Sequence, residues 1–203
     1  MDKNDVIWKR KSCRSFERKS VKEGDLEEII RAGQQAPSPK NSQPWRFLII
    51  RDKTKKAKIS EILKESIKKL KEDDNKRGEI RRELDLAMES AKIIEEAPTL
   101  VFIYMDTKGI EYHDDGVQWS LRAKDVECTY IMAIGAAIEN MLLKATEMGI
   151  DSLWMGDIFY AYQDLKKFLK CDGAIMAAVA FGYGTDRSNK KGRMQLEKIL
   201  KWI

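Results

Sequence analysis

Arg10, Ser12 and Arg14 alternate along the stretch Arg10-Lys11-Ser12-Cys13-Arg14-Ser15-Phe16. In an extended chain alternate side chains share one side. Two guanidinium forks and a hydroxyl would then face one way, a donor set suited to a phosphate. A second cluster is the loop Ala36-Pro37-Ser38-Pro39-Lys40-Asn41-Ser42-Gln43-Pro44-Trp45. Its three prolines hold the backbone at low entropic cost. Ser38, Asn41 and Gln43 offer donors and acceptors to a heteroaromatic edge. A third cluster, Lys190-Lys191-Gly192-Arg193, adds cationic charge late in the chain. Taken one at a time, the three read as a surface turn, a rigid connector and a solvated basic tail.

Other chemistries find little support. His113 is the single histidine, and with Asp114 and Asp115 it makes a poor metal set. Cys13, Cys128 and Cys171 form an odd, widely spaced trio with no CxxC pairing, so neither a disulfide framework nor a thiolate zinc site is expected. No metal is expected, and Cys13 reads as a buried spacer between Ser12 and Arg14. No GxGxxG follows a strand and no GxxxxGK[ST] occurs, which excludes the usual dinucleotide and P-loop signatures. Chemistry without histidines points to a cofactor.

The elements that must position these groups can be read from the pattern. The chain has 203 residues, 43% apolar and 35% charged, with net charge +5. That suits one domain, 1–203, able to bury a core. The longest apolar-rich stretch, Tyr130 to Leu143, is too short for a bilayer and carries Glu139 and Asn140. Met1 to Asp5 lacks a signal peptide's apolar stretch. A cytoplasmic protein with no membrane partner is expected. From Arg51 to Glu83 there are 13 Lys/Arg against 8 Asp/Glu, which accounts for the net charge. Acidic residues interleave the basic ones and no stacking aromatics lie among them. Residues 51–95 therefore read as a solvated, charged helical pair, and no nucleic-acid partner is expected.

Helices are expected over Asn4 to Lys9, from Asp25 to about Ala36, Lys53 to Lys71, Glu79 to Glu95, Val126 to Met148 and Tyr162 to Leu169. Asp25-Leu-Glu-Glu28 resembles a capping box opening the second of these. Ile80, Leu84, Met88 and Ala91 form an apolar stripe on the fourth. The fifth is apolar on most faces, which makes it central, and Gly149 ends it. Arg46 to Arg51 and Thr99 to Met105 read as fully buried strands, Ser152 to Met155 as a short strand or turn, and Ala174 to Gly182 as a final buried strand. Helices between strands imply a mixed sheet covered by helices, an α+β fold. The apolar tail ending Ile199-Leu-Lys-Trp-Ile203 needs somewhere to pack, as on a partner subunit.

Together the clusters resemble the FMN-dependent nitroreductase family. Arg10-Lys-Ser-x-Arg14-x-Phe16 is similar to that family's N-terminal Arg-Arg-Ser-x-Arg-x-Phe. Ala36-Pro-Ser-x-x-Asn-x-Gln-Pro-Trp45-x-Phe47 matches its proline-rich motif almost throughout and is the most specific element. Asp151-Ser-Leu-Trp-Met-Gly-Asp157 resembles its flavin-facing turn. Gly182-Tyr-Gly184 and Lys191-x-Arg193 resemble its C-terminal phosphate contacts. The matched elements run from Arg10 to Arg193.

The resemblance implies an α+β sandwich with a mixed sheet, the C-terminal tail exchanged in a homodimer, and FMN sites at the subunit interface. Carried over, Arg10, Ser12, Lys191 and Arg193 would hold the phosphate. Lys11 stands in for an arginine as a charge. Arg14 would lie near the pyrimidine edge. Pro37, Ser38 and Asn41, with Gln43 in the same loop, would come from the other subunit. The backbone of Met155, Gly156 and Asp157 would face N5 and O4. Residues 106–125 would cover the site, with Tyr112 and Trp119 as an aromatic lid. Glu139 stands where many relatives have Gln and is expected to leave the flavin contacts untouched. The implied activity is NAD(P)H-driven, ping-pong, two-electron reduction of nitroaromatics, quinones or similar small acceptors, with no catalytic side chain needed. The alternatives are a specialised FMN enzyme of the same family, of reductive dehalogenase or flavin-fragmenting type, and a non-catalytic FMN-binding protein.

Overall fold

The computed structural model describes residues 5–72, 81–106, 123–186 and 192–203. Its elements are α1 (Val6–Lys9), α2 (Glu23–Gln34), β1 (Trp45–Ile50), α3 (Lys53–Glu72), α4 (Arg81–Glu96), β2 (Thr99–Met105), α5 (Ala123–Glu147), β3 (Asp151–Met155), α6 (Tyr162–Leu169) and β4 (Ala174–Gly182). One-turn 3₁₀ segments cover Pro39–Asn41, Asp157–Ala161 and Leu196–Lys198. Element order follows the sequence reading, and α6 and β4 have the expected bounds. Among the described residues, no helix is long and apolar enough to cross a membrane.

The strands form one sheet in the order β1-β2-β4-β3, and each neighbouring pair is antiparallel. This corrects the mixed sheet expected from sequence. β1 ends beside the start of β2, with Ile50 opposite Leu100. The α3–α4 pair leaves and returns at the same end of the sheet, so the next strand runs back. Helical connections thus set which layer is covered without setting strand direction. β2 is buried along most of its length, as expected, and β4 is buried in its second half. β1 corrects the expectation of a fully buried strand. It is an edge, and Arg46 and Ile49 are exposed.

Alternation along the strands divides the core into two layers. One face, with Leu100, Phe102, Ala178, Ala180 and Met155, packs against α3, α4 and α6. The other, with Val101, Ile103, Ala177, Val179 and Phe181, packs against α2 and α5. Each fully buried large side chain, such as Phe102 or Leu63, contributes roughly 1.5–3 kcal/mol by leaving water.

The helices form for legible reasons. Asp52 starts α3, its Oδ1 accepting from the Lys55 amide at 2.7 Å. Ile59, Leu63 and Ile67 then recur at four-residue spacing and are buried. On α4 the buried residues are Leu84, Ala87, Ser90, Ala91, Ile93 and Ile94, while Met88 is half-buried. Ile80 lies outside the described residues. The Ser60 hydroxyl, buried between the helices, donates to the Ala91 carbonyl at 2.7 Å. Ion pairs Lys64–Glu95 and Lys71–Asp85 link the outer faces. Lys64, with Ser60, holds the Glu95 carboxyl below the usual glutamate range.

Two other expectations change. Asp25 does not cap α2, which opens at Glu23 with Lys22 at the N-cap position. Glu23 and Asp25 both lie in the first turn, where their charges favour the helix dipole. On α5, Ile131 is 41% and Met132 70% exposed, so that helix buries only part of its apolar surface within one chain.

Candidate functional site

The N-terminal segment lies against the outer end of the sheet. Ser12 bridges Ser152 of β3 in parallel, and Phe16 bridges Gly184 antiparallel. The Cys13 amide donates to the Ser152 carbonyl at 2.9 Å and the Thr185 amide to the Ser15 carbonyl at 2.9 Å. This extended path is the one the alternation of Arg10, Ser12 and Arg14 requires. Cys13 points inward and is buried, whereas Ser12 and Arg14 are exposed. Burial, with a further contribution from the Asp151 charge, pushes the Cys13 thiol above its ordinary value. A protonated, buried thiol suits the spacer role. Gly184 makes the docking possible. A Cβ there would lie 2.7 Å from both Asp151 Oδ2 and Cys13 Sγ.

Arg10 closes α1, and its side chain is 17% exposed. Its Nε lies 3.4 Å from Oε1 of Glu139 on α5. Glu139, expected to leave the flavin contacts untouched, holds one edge of the foremost phosphate candidate. Lys11 Nζ donates to the Asp186 carbonyl at 3.0 Å. Arg193 is exposed and its Nη1 lies 3.5 Å from the Gly192 carbonyl. Lys191, Tyr112, His113 and Trp119 lie outside the described residues.

The proline-rich loop is held in an unusual backbone shape. Lys40, Asn41 and Gln43 have φ of 51°, 54° and 46°. Left-handed conformations cost roughly 1–2 kcal/mol for residues with a Cβ, least for Asn. Three such residues in one loop persist because neighbours enforce them. The Ser38 hydroxyl accepts from the Gln43 amide at 3.0 Å. Arg46 Nη1 donates to the Gln43 carbonyl at 3.1 Å, and Arg46 Nη2 pairs with Asp106 at 2.7 Å. Pro37, Asn41 and Gln43 remain exposed on this frame. Lys40→Gly is expected to stabilise the protein by about 0.5–1 kcal/mol, the relief of strain less glycine's added unfolded-state freedom. Urea unfolding reads this directly, and a loss of stability would contradict the strained geometry.

The turn after β3 is the third part. Met155 is buried, Gly156 exposed and Asp157 half-buried. A Cβ on Gly156 would meet nothing within 4 Å, so the outer side of the turn is open. Asp157 Oδ2 accepts from the Ser90 hydroxyl at 2.5 Å. Sequence reasoning missed Ser90. Its signal was a hydroxyl set among the small and apolar positions of the α4 stripe.

The arrangement separates the parts. Arg10–Arg14 and the Met155–Asp157 turn share the β3 edge. The proline-rich loop precedes β1 on the opposite edge, three strand spacings or roughly 14 Å away across the sheet, at the end of the strands opposite to Ser12. One chain therefore offers a cationic segment and an open amide turn on one edge, and a rigid polar loop on the other.

Comparison with known proteins gives a consistent result. The sequence profile of the "Nitroreductase family" matches residues 7–183. An "NADH dehydrogenase" of Thermus thermophilus is 25% identical, with 100% of this chain and 96% of the relative aligned. A BluB-like flavoprotein of Clostridium difficile has the same fold, with TM-score 0.82 and 24% identity over 100% of this chain and 99% of that one. A nitroreductase with bound FMN from Bacteroides fragilis superposes with TM-score 0.71 at 24% identity, over 100% of this chain and 99% of that one.

Proposed function

The chain belongs to the nitroreductase family, and from that premise we propose an FMN-dependent oxidoreductase that draws hydride from NADH or NADPH. It passes two electrons, in ping-pong fashion, to nitroaromatics, quinones or similar electron-poor molecules. The observation that carries this reading is the divided site. The proline-rich loop and the cationic segment lie on opposite sheet edges of one chain, an arrangement that a second copy would complete.

The residues present fit FMN. Arg10, Ser12 and Arg14 supply cationic and hydroxyl donors on one extended segment, and the turn at Gly156 is open on its outer side. Arg10, Ser12 and Arg193, with Lys191, would hold the phosphate, while Lys11 acts through its tether to Asp186. FMN, when bound, supplies the hydride-accepting N5 and stores two electrons. Arg14 would provide fixed positive charge near the pyrimidine edge, favouring an anionic reduced ring. Amides at Gly156 and Asp157 would orient N5 and O4 without a titrating side chain. Pro37, Ser38, Asn41 and Gln43 of the second copy would close the site on a frame already strained into shape.

The apolar surface supports a homodimer. Trp8, Ile131 and Met132 are exposed on α1 and α5, and Met194, Leu196, Ile199, Leu200 and Trp202 are exposed on the tail. A groove of about 390 Å³ beside β1, lined in part by Ile30, Trp45, Phe47 and Ile49, is where an exchanged tail would seat.

Purified protein is expected to show two flavin absorbance bands that bleach on anaerobic addition of NADH or NADPH, and to run as a dimer. Bands that persist would favour a specialised reaction or a non-catalytic role for FMN. Protein that neither carries nor takes up FMN would overturn the reading.

A further inference from the structure

Asp157 is the side chain nearest in sequence to the proposed flavin-facing amides, and it carries a negative charge where one is unwelcome. Reduced flavin is stabilised by positive charge and hydrogen-bond donors and opposed by nearby carboxylates. The carboxylate, however, is engaged elsewhere. Its Oδ2 is 2.5 Å from the hydroxyl of Ser90, which is 9% exposed on α4. The neighbours of Ser90 are fixed. Ala91 and Ile94 are buried, the Ala91 carbonyl accepts from Ser60, and Glu95 pairs with Lys64. Ser90 therefore hangs from a two-helix frame that reaches this turn through the Asp157 carboxylate. The side of the turn at Gly156 is open. Gly156 is exposed and a Cβ there would find no neighbour, although its carbonyl accepts from the Phe159 amide at 3.0 Å and Met155 and Ile158 on either side are buried.

Resting on the FMN reading above, we propose that Ser90 is a positioning residue for the redox site. By anchoring the Asp157 carboxylate to α4, it turns that charge away and leaves the amides of Gly156 and Asp157 to meet the cofactor. The charged helical pair is thereby part of the redox apparatus, setting how strongly the protein favours reduced over oxidised flavin.

The test compares wild type, Ser90→Ala, Ser90→Thr, Asp157→Asn and the double variant Ser90→Ala/Asp157→Asn. The readouts are FMN dissociation constants for both oxidation states, the two-electron midpoint potential and the melting temperature of the apoprotein. Ser90→Ala is expected to weaken reduced FMN about tenfold more than oxidised FMN. That ratio corresponds to a midpoint about 30 mV lower for a two-electron couple. Ser90→Thr keeps the hydroxyl and should restore the wild-type ratio, and Asp157→Asn in the Ser90→Ala background should abolish the shift. If Ser90→Ala lowers the melting temperature while leaving the affinity ratio unchanged, Ser90 is structural only and the proposal fails. Should Ser90→Ala not accumulate, Ser90→Cys, close in volume but a weak donor, is read the same way. Wild type that does not bind FMN defeats the functional reading itself, whereas normal wild-type FMN binding with an unshifted Ser90→Ala defeats only this inference.

Discussion

Arg10→Ala is expected to raise the FMN dissociation constant about 100-fold while leaving the fold intact. A hydrogen bond to a charged group contributes roughly 1.5–3 kcal/mol. Removing the guanidinium forfeits that and also strands Glu139, whose carboxylate is 3.4 Å from Arg10 Nε in the folded chain. An unpaired carboxylate close to a phosphate adds repulsion of about 1 kcal/mol even at a water-like dielectric. The two losses together amount to about 3 kcal/mol. They are separable, because Glu139→Gln in the Arg10→Ala background should recover about fivefold. Equilibrium titration of apoprotein with FMN measures all of these. An Arg10→Ala constant within threefold of wild type would remove Arg10 from the proposed phosphate site.

Gly173→Ala is expected to cost about 3 kcal/mol or more of stability, a large share of the 5–15 kcal/mol typical of a domain. A Cβ on Gly173 would stand 2.0 Å from the Met105 carbonyl oxygen and 2.8 Å from its carbon. Both atoms are backbone, so no side-chain rotation relieves the clash. The strands must separate where β4 begins beside the end of β2, close to an existing register shift between Ile103 and Tyr104. The disturbance also propagates. Met105 leads into Asp106, whose amide donates to the Pro44 carbonyl at 2.8 Å and whose carboxylate pairs with Arg46. Urea unfolding of the apoprotein gives the loss, and a change under 1 kcal/mol would refute the close approach.

What could be read from the sequence follows from what periodicity encodes. Thr99 to Met105 and Ala174 to Gly182 are uninterrupted apolar runs, and both became strands at the expected positions. Lys53 onward carries a clean four-residue spacing and became α3. Strand direction was not legible, because a helical connection of either parity hides the same way in a linear pattern. The exposure of β1 was not legible either, since Phe47, Leu48, Ile49 and Ile50 look equally apolar whether or not a neighbour covers them. Of the candidate site, residue types and spacing revealed the Arg10 segment and the proline-rich loop. Partners distant in sequence stayed hidden. The Glu139 contact with Arg10, the Lys11 tether to Asp186 and the Ser90 bond to Asp157 each join elements whose meeting depends on the whole fold.

The docking of the N-terminal segment onto the sheet carries a consequence for biosynthesis. Ser15 and Thr185 share a 2.7 Å hydroxyl contact across 170 residues of chain. At about 5–20 residues per second, Thr185 leaves the ribosome on the order of ten seconds after Ser15. Through that interval β1, α3, α4 and β2 can assemble locally, while Ser15 and Phe16 lack their partners Thr185 and Gly184. The edge proposed to hold the phosphate is therefore completed only after Gly184 and Thr185 have emerged, and cofactor supply cannot rescue a nascent chain that stalls before β4.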